Sequence, residues 1–194
     1  MSIVGTDAAY VTRIARRMRA ASEIRQNQVR NHERLTADTI VELLSRAGVS
    51  PRERANLNLH AEPSDPTNRF LNAGMSGTCV RPHRHRIGKW ELVIALQNAV
   101  DLVIFTTNGV VQDRVSLGSN AVHLAEIEGD EWHSIVFHAP AAVALEIKPG
   151  PYEPEFDKEF ATWAPPEGDP AVVAFVRWLE TAAPGNAVNL SSPN

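Results

Sequence analysis

From about Gly74 to Lys148 apolar residues recur at every second position, and turn-forming residues interrupt them at short, near-regular intervals. Period-two alternation sends successive side chains to opposite faces of a strand. The pattern predicts strands over 78–80, 90–96, 101–105, 110–117, 121–127, 132–138 and 142–147. Turn signals separate them at Asn98, Asn108-Gly109, Gly118-Ser119-Asn120, Gly129-Asp130 and Ala139-Pro140. No helical period falls between these strands, so a parallel α/β sheet is excluded and a β-sandwich or barrel remains.

Helices are expected only at the ends. Val11, Ile14, Ala15 and Met18 recur at i, i+3, i+4 and i+7 within 7–35, an amphipathic pattern with an arginine face. A second helix follows Thr36, a side chain suited to capping, with Ile40, Leu43, Leu44 and Ala47 as its stripe and Gly48 and Pro51 as its stop. Residues 50–72 are polar, and Pro51, Pro63 and Pro66 predict an irregular stretch. A short helix over 170–182 carries Val172, Val173, Val176 and Leu179. The expected organisation is a helical extension over 1–35, a barrel domain with flanking helices over 36–182 and a disordered tail over 183–194.

Charge and composition narrow the partners. The 194 residues are 43% hydrophobic and 22% charged, ordinary for one globular domain, and the net charge of −4 draws the chain to neither nucleic acid nor membrane. Residues 1–34 hold seven Arg against Asp7, Glu23 and Glu33. No aromatic residues interleave with those arginines, so the helix reads as the solvated face of an appendage packed against the barrel or against a sister chain in a homodimer, ahead of a helix that docks on something acidic. The single cysteine, Cys79, excludes an internal disulfide framework and fits a reducing compartment. No apolar run approaches the roughly 20 residues of a membrane span, and no secretory signal pattern opens the sequence, so a cytoplasmic location is expected.

The chemistry gathers around four residues. His83 and His85 are two apart in a strand-like stretch, which projects both imidazoles from one face. Glu91 follows at hairpin distance, and His133 heads another strand after the turn Gly129-Asp130. Three imidazoles and one carboxylate suit a single divalent ion such as zinc, iron, manganese or nickel, and do not suit calcium.

The spacing resembles the two motifs of the cupin superfamily. Gly77, His83 and His85 match the first motif, Glu91 follows after one extra residue, and Asn98 replaces the closing glycine, a swap that a left-handed turn accepts. In the second motif only His133 survives, since Glu128, Asp130 and Phe137 replace Pro, Gly and Asn. Further segments are similar to the WbuC-like cupin-fold metalloproteins, which are often encoded near polysaccharide or O-antigen genes. These segments are Asn56-Leu57-Asn58-Leu59-His60, Arg69-Phe70-Leu71-Asn72, Arg81-Pro82-His83-Arg84-His85, Lys89-Trp90-Glu91, Glu146-Ile147-Lys148-Pro149-Gly150-Pro151-Tyr152 and Phe160-Ala161-Thr162-Trp163-Ala164-Pro165. The resemblance spans about 36–180. It implies a mainly β, cupin-type double-stranded β-helix (a jelly-roll barrel) and a metal held by His83, His85, Glu91 and His133.

Other residues divide by strand parity. Arg84, Trp90 and Trp132 each neighbour a proposed ligand and face away from it, and Cys79 is expected in the core. Glu146 and Lys148 share one face of the last strand and are expected at the surface. Arg69 and Arg81 stay open as anion-binding side chains, and Asn58, His60 and Tyr152 are expected in packing or backbone-satisfying roles. Two functions fit: a metal-dependent enzyme acting on a small polar, sugar-like molecule, or a non-catalytic binding or sensing module with a structural metal.

Overall fold

The computed structural model describes residues 34–118 and 122–188. The arginine-faced helix expected over 7–35 falls almost wholly outside the described residues, as do Ala121 and the end of the expected tail. In chain order the elements are α1 (Ala37–Val49), β1 (Arg54–Asn58), β2 (Thr67–Met75), β3 (His83–Arg84), β4 (Glu91–Gln97), β5 (Val100–Phe105), β6 (Val111–Leu117), β7 (Leu124–Ile127), β8 (Trp132–Phe137), β9 (Ala141–Pro149), β10 (Glu159–Phe160) and α2 (Val172–Leu179).

Two five-stranded sheets face each other, with orders β1-β2-β9-β4-β7 and β10-β3-β8-β5-β6. Every ladder is antiparallel. From β2 onward the chain changes sheet at every connection except the β5–β6 hairpin, which is the winding of a jelly roll. The fold is mainly β and cupin-type.

Three apolar clusters hold it. Val93, Val100, Leu102, Ile104, Leu117, Ile127, Ile135 and Phe137 fill one end of the space between the sheets. On the outside of the first sheet, α1 lays Ile40, Leu43, Leu44 and Ala47 over Leu71, Ala73 and Val143. Across the molecule α2 lays Phe175, Val176 and Leu179 over Val103, Phe105, Val111, Trp132 and Val136. Cys79 sits in this last cluster, where burial pushes its thiol pKa up. Strands β5 and β8 are therefore buried on both faces.

Local signals act as read from the sequence. The Thr36 hydroxyl accepts the Thr39 N–H at 3.2 Å and caps α1. Asn98 adopts φ +57°, the left-handed turn its place in the motif requires, and its Nδ2 donates to the Ala141 carbonyl at 2.6 Å. At Gly74 a Cβ would stand 2.4–2.7 Å from ring atoms of Phe137. Gly74→Ala therefore forces that ring off its seat, at an expected cost of about 1–3 kcal/mol in urea unfolding; a change under 0.5 kcal/mol would mean the ring has room to move.

Four expectations change. Residues 50–72 are not irregular, because β1 and most of β2 lie there. Their alternation is real, but the face that would be apolar in a core strand is polar here. Residues 78–80 form no strand, and the ladder near the motif shrinks to His83–Arg84, since Pro82 has no N–H to offer. Helix α2 is shorter than 170–182 and turns Val173 to solvent, with Phe175 taking the buried place. Residues 183–188, expected in a disordered tail, hydrogen-bond along the start of β6, through Gly185 N–H to Val111 O at 2.8 Å and Val111 N–H to Asn186 O at 2.9 Å.

Candidate metal centre

Strands β3 and β8 pair so that His83 lies directly across from His133, with ring centroids 4.4 Å apart. The His85 ring stands 5.3 Å from that of His83 and 5.5 Å from that of His133. Glu91 opens β4 in the opposite sheet and reaches across, its Oε2 2.9 Å from His85 Nε2 and 3.4 Å from His133 Nε2. One ligand-type atom from each of the four lies within 4.8 Å of all the others, and none of the four residues is more than 3% exposed. The extra residue before Glu91 is absorbed in the 86–89 turn. There Gly129 has room only for hydrogen, since a Cβ would stand 2.3 Å from the Arg86 carbonyl oxygen. That close approach holds the loop before Glu91 against the turn before His133.

Each imidazole is oriented by a backbone carbonyl. His83 Nδ1 is 3.0 Å from Arg81 O, His133 Nδ1 is 2.9 Å from Glu131 O, and His85 Nδ1 bonds Asp157 O. A carbonyl only accepts, so each Nδ1 carries the hydrogen and each neutral ring turns its Nε2 lone pair inward. This is the outer arrangement that metal-binding histidines use. It also leaves a conflict that a cation resolves. His85 Nε2 and the Glu91 carboxylate are then two acceptors at 2.9 Å, and His133 Nε2 is buried with no hydrogen-bond partner among the described residues. A divalent ion among the four atoms satisfies both, so the residues present fit a metal.

Burial lowers the His83 pKa well below the ordinary imidazole value, with the Lys158 charge adding to it, so the ring is neutral and ready to ligate. Glu146 stands behind Glu91. Burial first, and then the Glu91 charge, raise its pKa well above the carboxylate range. Burial would raise Glu91 too, but the polar groups of His133, His85 and Glu146 around it outweigh that and hold its carboxyl well below the ordinary carboxylate value. Asn72 Nδ2 donates to Glu146 Oε1 at 2.6 Å and fixes it there.

The surface expectation for Glu146 and Lys148 is thus overturned: both are only 4% exposed and face the interior. Lys148 is paid for by Asp157, whose two carboxylate oxygens each lie 2.9 Å from its Nζ. Arg84 does turn away, pairing with Glu159 and lying 4.7 Å over the Trp132 ring. Arg69 pairs with Asp65, and Arg81 donates to Ala161 O. His60 Nδ1 accepts the Arg69 N–H at 3.1 Å, a backbone-satisfying role, while His60, Asn58 and Tyr152 also line a chamber beside the centre.

That chamber has a volume of about 440 Å³. A smaller cavity of about 60 Å³ touches His83, Glu91 and His133. Arg54, Asn72 and Lys158 line both, so the larger space adjoins the metal cavity. Sequence reasoning singled out none of these three for the site. Arg54 and Asn72 belong to the stretch taken as irregular, and Lys158 lies beyond the last expected strand. The one available signal was the alternation Arg54-Ala55-Asn56-Leu57-Asn58, polar on one face and apolar on the other.

A family model described as a domain of unknown function, DUF6016, matches residues 35–117, less than half of the chain. No curated protein matches the chain. Among solved structures, CapF bound to the inhibitor 3-isopropenyl-tropolone is 15% identical, with 58% of this chain and 33% of that chain covered and a TM-score of 0.49. A chain from the crystal structures of the DMSP lyases RdDddP and RnDddQII is 11% identical over 57% of this chain and 53% of that one, at a TM-score of 0.44. A cupin superfamily protein from Desulfitobacterium hafniense DCB-2 is 13% identical over 65% of this chain and 98% of that one, at 0.46. The chain spans less than two thirds of the first two. All three scores lie below 0.5, and the fold rests on strand order and register. Those place the chain in the cupin-type jelly-roll fold, with a buried cluster of three histidines and a glutamate between its sheets.

Proposed function

We propose that this chain is a metalloprotein in which His83, His85, Glu91 and His133 hold one divalent ion, and that it is an enzyme acting on a small polar, sugar-like molecule. The observation that carries the metal is the tautomer pattern: three Nδ1–H groups spent on carbonyls, three Nε2 lone pairs turned inward, and one of them orphaned. A bound ion would supply Lewis-acid polarisation of a ligand oxygen. The likeness of the quoted segments to WbuC-like cupins supports a sugar-derived substrate.

The second reading, a structural metal in a binding or sensing module, calls for a site closed by protein ligands. The cavity of about 60 Å³ against three of the four side chains disfavours it, since a water needs only about 10–15 Å³ of such space. Open volume beside the ligands is what a catalytic ion requires and a structural one does not.

Chelation separates metal dependence of function from metal dependence of folding. The apolar core between the sheets, from Val93 to Phe137, contains none of the four residues. Removing the ion is therefore expected to lower the melting temperature, while the β-type circular dichroism survives at room temperature. The stabilisation lost is about 2.7 kcal/mol where free metal stood at about 100 times its dissociation constant. A random-coil spectrum after chelation would make the ion a folding staple and count against the enzyme.

A further inference from the structure

The larger chamber is lined by more cations than carboxylates. Its walls come from three neighbouring strands of one sheet, whose inward faces are polar. Arg54, Asn56 and Asn58 alternate on β1, Asn68, Phe70 and Asn72 on β2, and Lys148 comes from β9. The ladders align them, with Asn56 opposite Asn72, Asn58 opposite Phe70 and Asn68 opposite Lys148. The segment after β9 adds Tyr152, Asp157 and Lys158.

The cations outnumber the carboxylates that neutralise them. Lys148 is matched by Asp157. Arg52 and Arg54 share one carboxylate, Glu167. Lys158 has no hydrogen bond or ion pair to another described residue. Four cations therefore meet two carboxylates, and the uncompensated charge sits at Arg54 and Lys158, at the boundary with the metal cavity. Glu91 and Glu146 line the smaller cavity rather than the chamber, and on the metal reading a bound ion would neutralise Glu91. Positive charge focused in a concave, partly dry site attracts anions. The asparagine amides offer paired donors and acceptors, the complement of hydroxyl groups.

Resting on the metal reading above, we propose that the chamber binds a hydroxylated organic anion, its charged group held by Arg54 and Lys158 beside the ion and its hydroxyls by Asn56, Asn58 and Asn72. The volume of about 440 Å³ falls within the roughly 300–1,000 Å³ of small-molecule sites. The charged group is a carboxylate or a phosphate, and the two are separable by experiment.

The test is equilibrium binding of three probes to the full chain as purified, with metal content measured on every sample. The probes are D-glucuronate, glucose 6-phosphate and uncharged methyl glucoside. At least one anion is expected to bind tenfold or more tightly than methyl glucoside, and whichever does so names the charged group. Lys158→Gln changes an exposed side chain, so the fold is safe. It is expected to weaken anion binding roughly tenfold, the weight of one charge-assisted hydrogen bond, with metal content unchanged. Arg54→Gln is expected to do the same. The proposal is overturned if methyl glucoside binds as well as both anions, if neither anion binds at millimolar concentration, or if both variants keep wild-type affinity. A wild-type chain that holds no metal would remove the metal reading alone. The preference for anions depends on Arg54 and Lys158, and the same three comparisons would still decide it.

Discussion

Replacing His83 and His85 together with alanine is expected to bring the metal content from about one ion per chain to nearly none by elemental analysis. The two side chains supply half of the inward-facing donors, and His85 also makes the short contact with Glu91. Loss of one outer partner of a metal ligand typically costs about 10–100-fold in affinity, and loss of two ligands costs far more. The barrel should survive. The apolar cluster from Val93 to Phe137 contains neither histidine, and α1 and α2 cover the outer faces without either of them. Native-like circular dichroism with no metal is therefore the expected pair of results. Unchanged metal content in a folded double variant would sink the metal reading.

Arg114→Ala is expected to be the most damaging single change away from the centre. Asp101 is buried on β5, and three groups converge on it: Arg114 Nε at 2.7 Å, Ser116 Oγ at 2.7 Å and His138 Nε2 at 2.9 Å. The same guanidinium donates to Leu179 O, Glu180 O and Ala182 O at the end of α2, tying that helix to the sheet. Truncation leaves a buried carboxylate short of its cation and several carbonyls short of a donor. Breaking one partner of such a pair costs about 3–5 kcal/mol. For a chain of this size that is a drop of roughly 6–20 °C in melting temperature. A loss below about 1 kcal/mol would mean that water replaces the guanidinium at little cost.

The pH dependence of this network has a definite sign. Burial alone would raise the Asp101 pKa, but the Ser116, His138 and Arg114 hydrogen bonds outweigh it and hold the carboxyl below its ordinary value. A depressed carboxylate contributes stability that is complete above its unfolded pKa of about 3.9 and is lost as pH falls through the folded value. Arg114→Ala should therefore erase part of the acid-side slope in a stability–pH profile.

The clustered side chains of the candidate metal centre were legible because their chemistry is local. His83 and His85 share a strand-like parity, Glu91 follows within one loop, and Gly129 marks the turn that must approach Arg86. The strands from 90 to 147 were legible for the same reason, since alternation and turn residues are properties of neighbours along the chain. Strands β1 and β2 were missed where alternation places asparagine and arginine on the inner face. A polar inner face looks like a loop until something polar is known to occupy the space it faces.

Glu146 and Lys148 mark the limit most sharply. As letters they are a charged pair opposite Val143, Leu145 and Ile147, and nothing in that pattern says which face is wet. Sheet order decides it: β9 lies between β2 and β4, with α1 covering the face that carries Val143. The charged face must then point inward, where Asp157 from beyond the strand neutralises Lys148, and Asn72 from β2 together with Glu91 from β4 receives Glu146. By itself the sequence determined the barrel, its caps and turns, and the four inward donors, because each follows from periodicity or spacing within one stretch of chain. Only the tertiary structure decided that a cation-rich chamber adjoins the metal cavity. Arg54, Asn72 and Lys158 come from three separate segments, and their meeting depends on which strands pair.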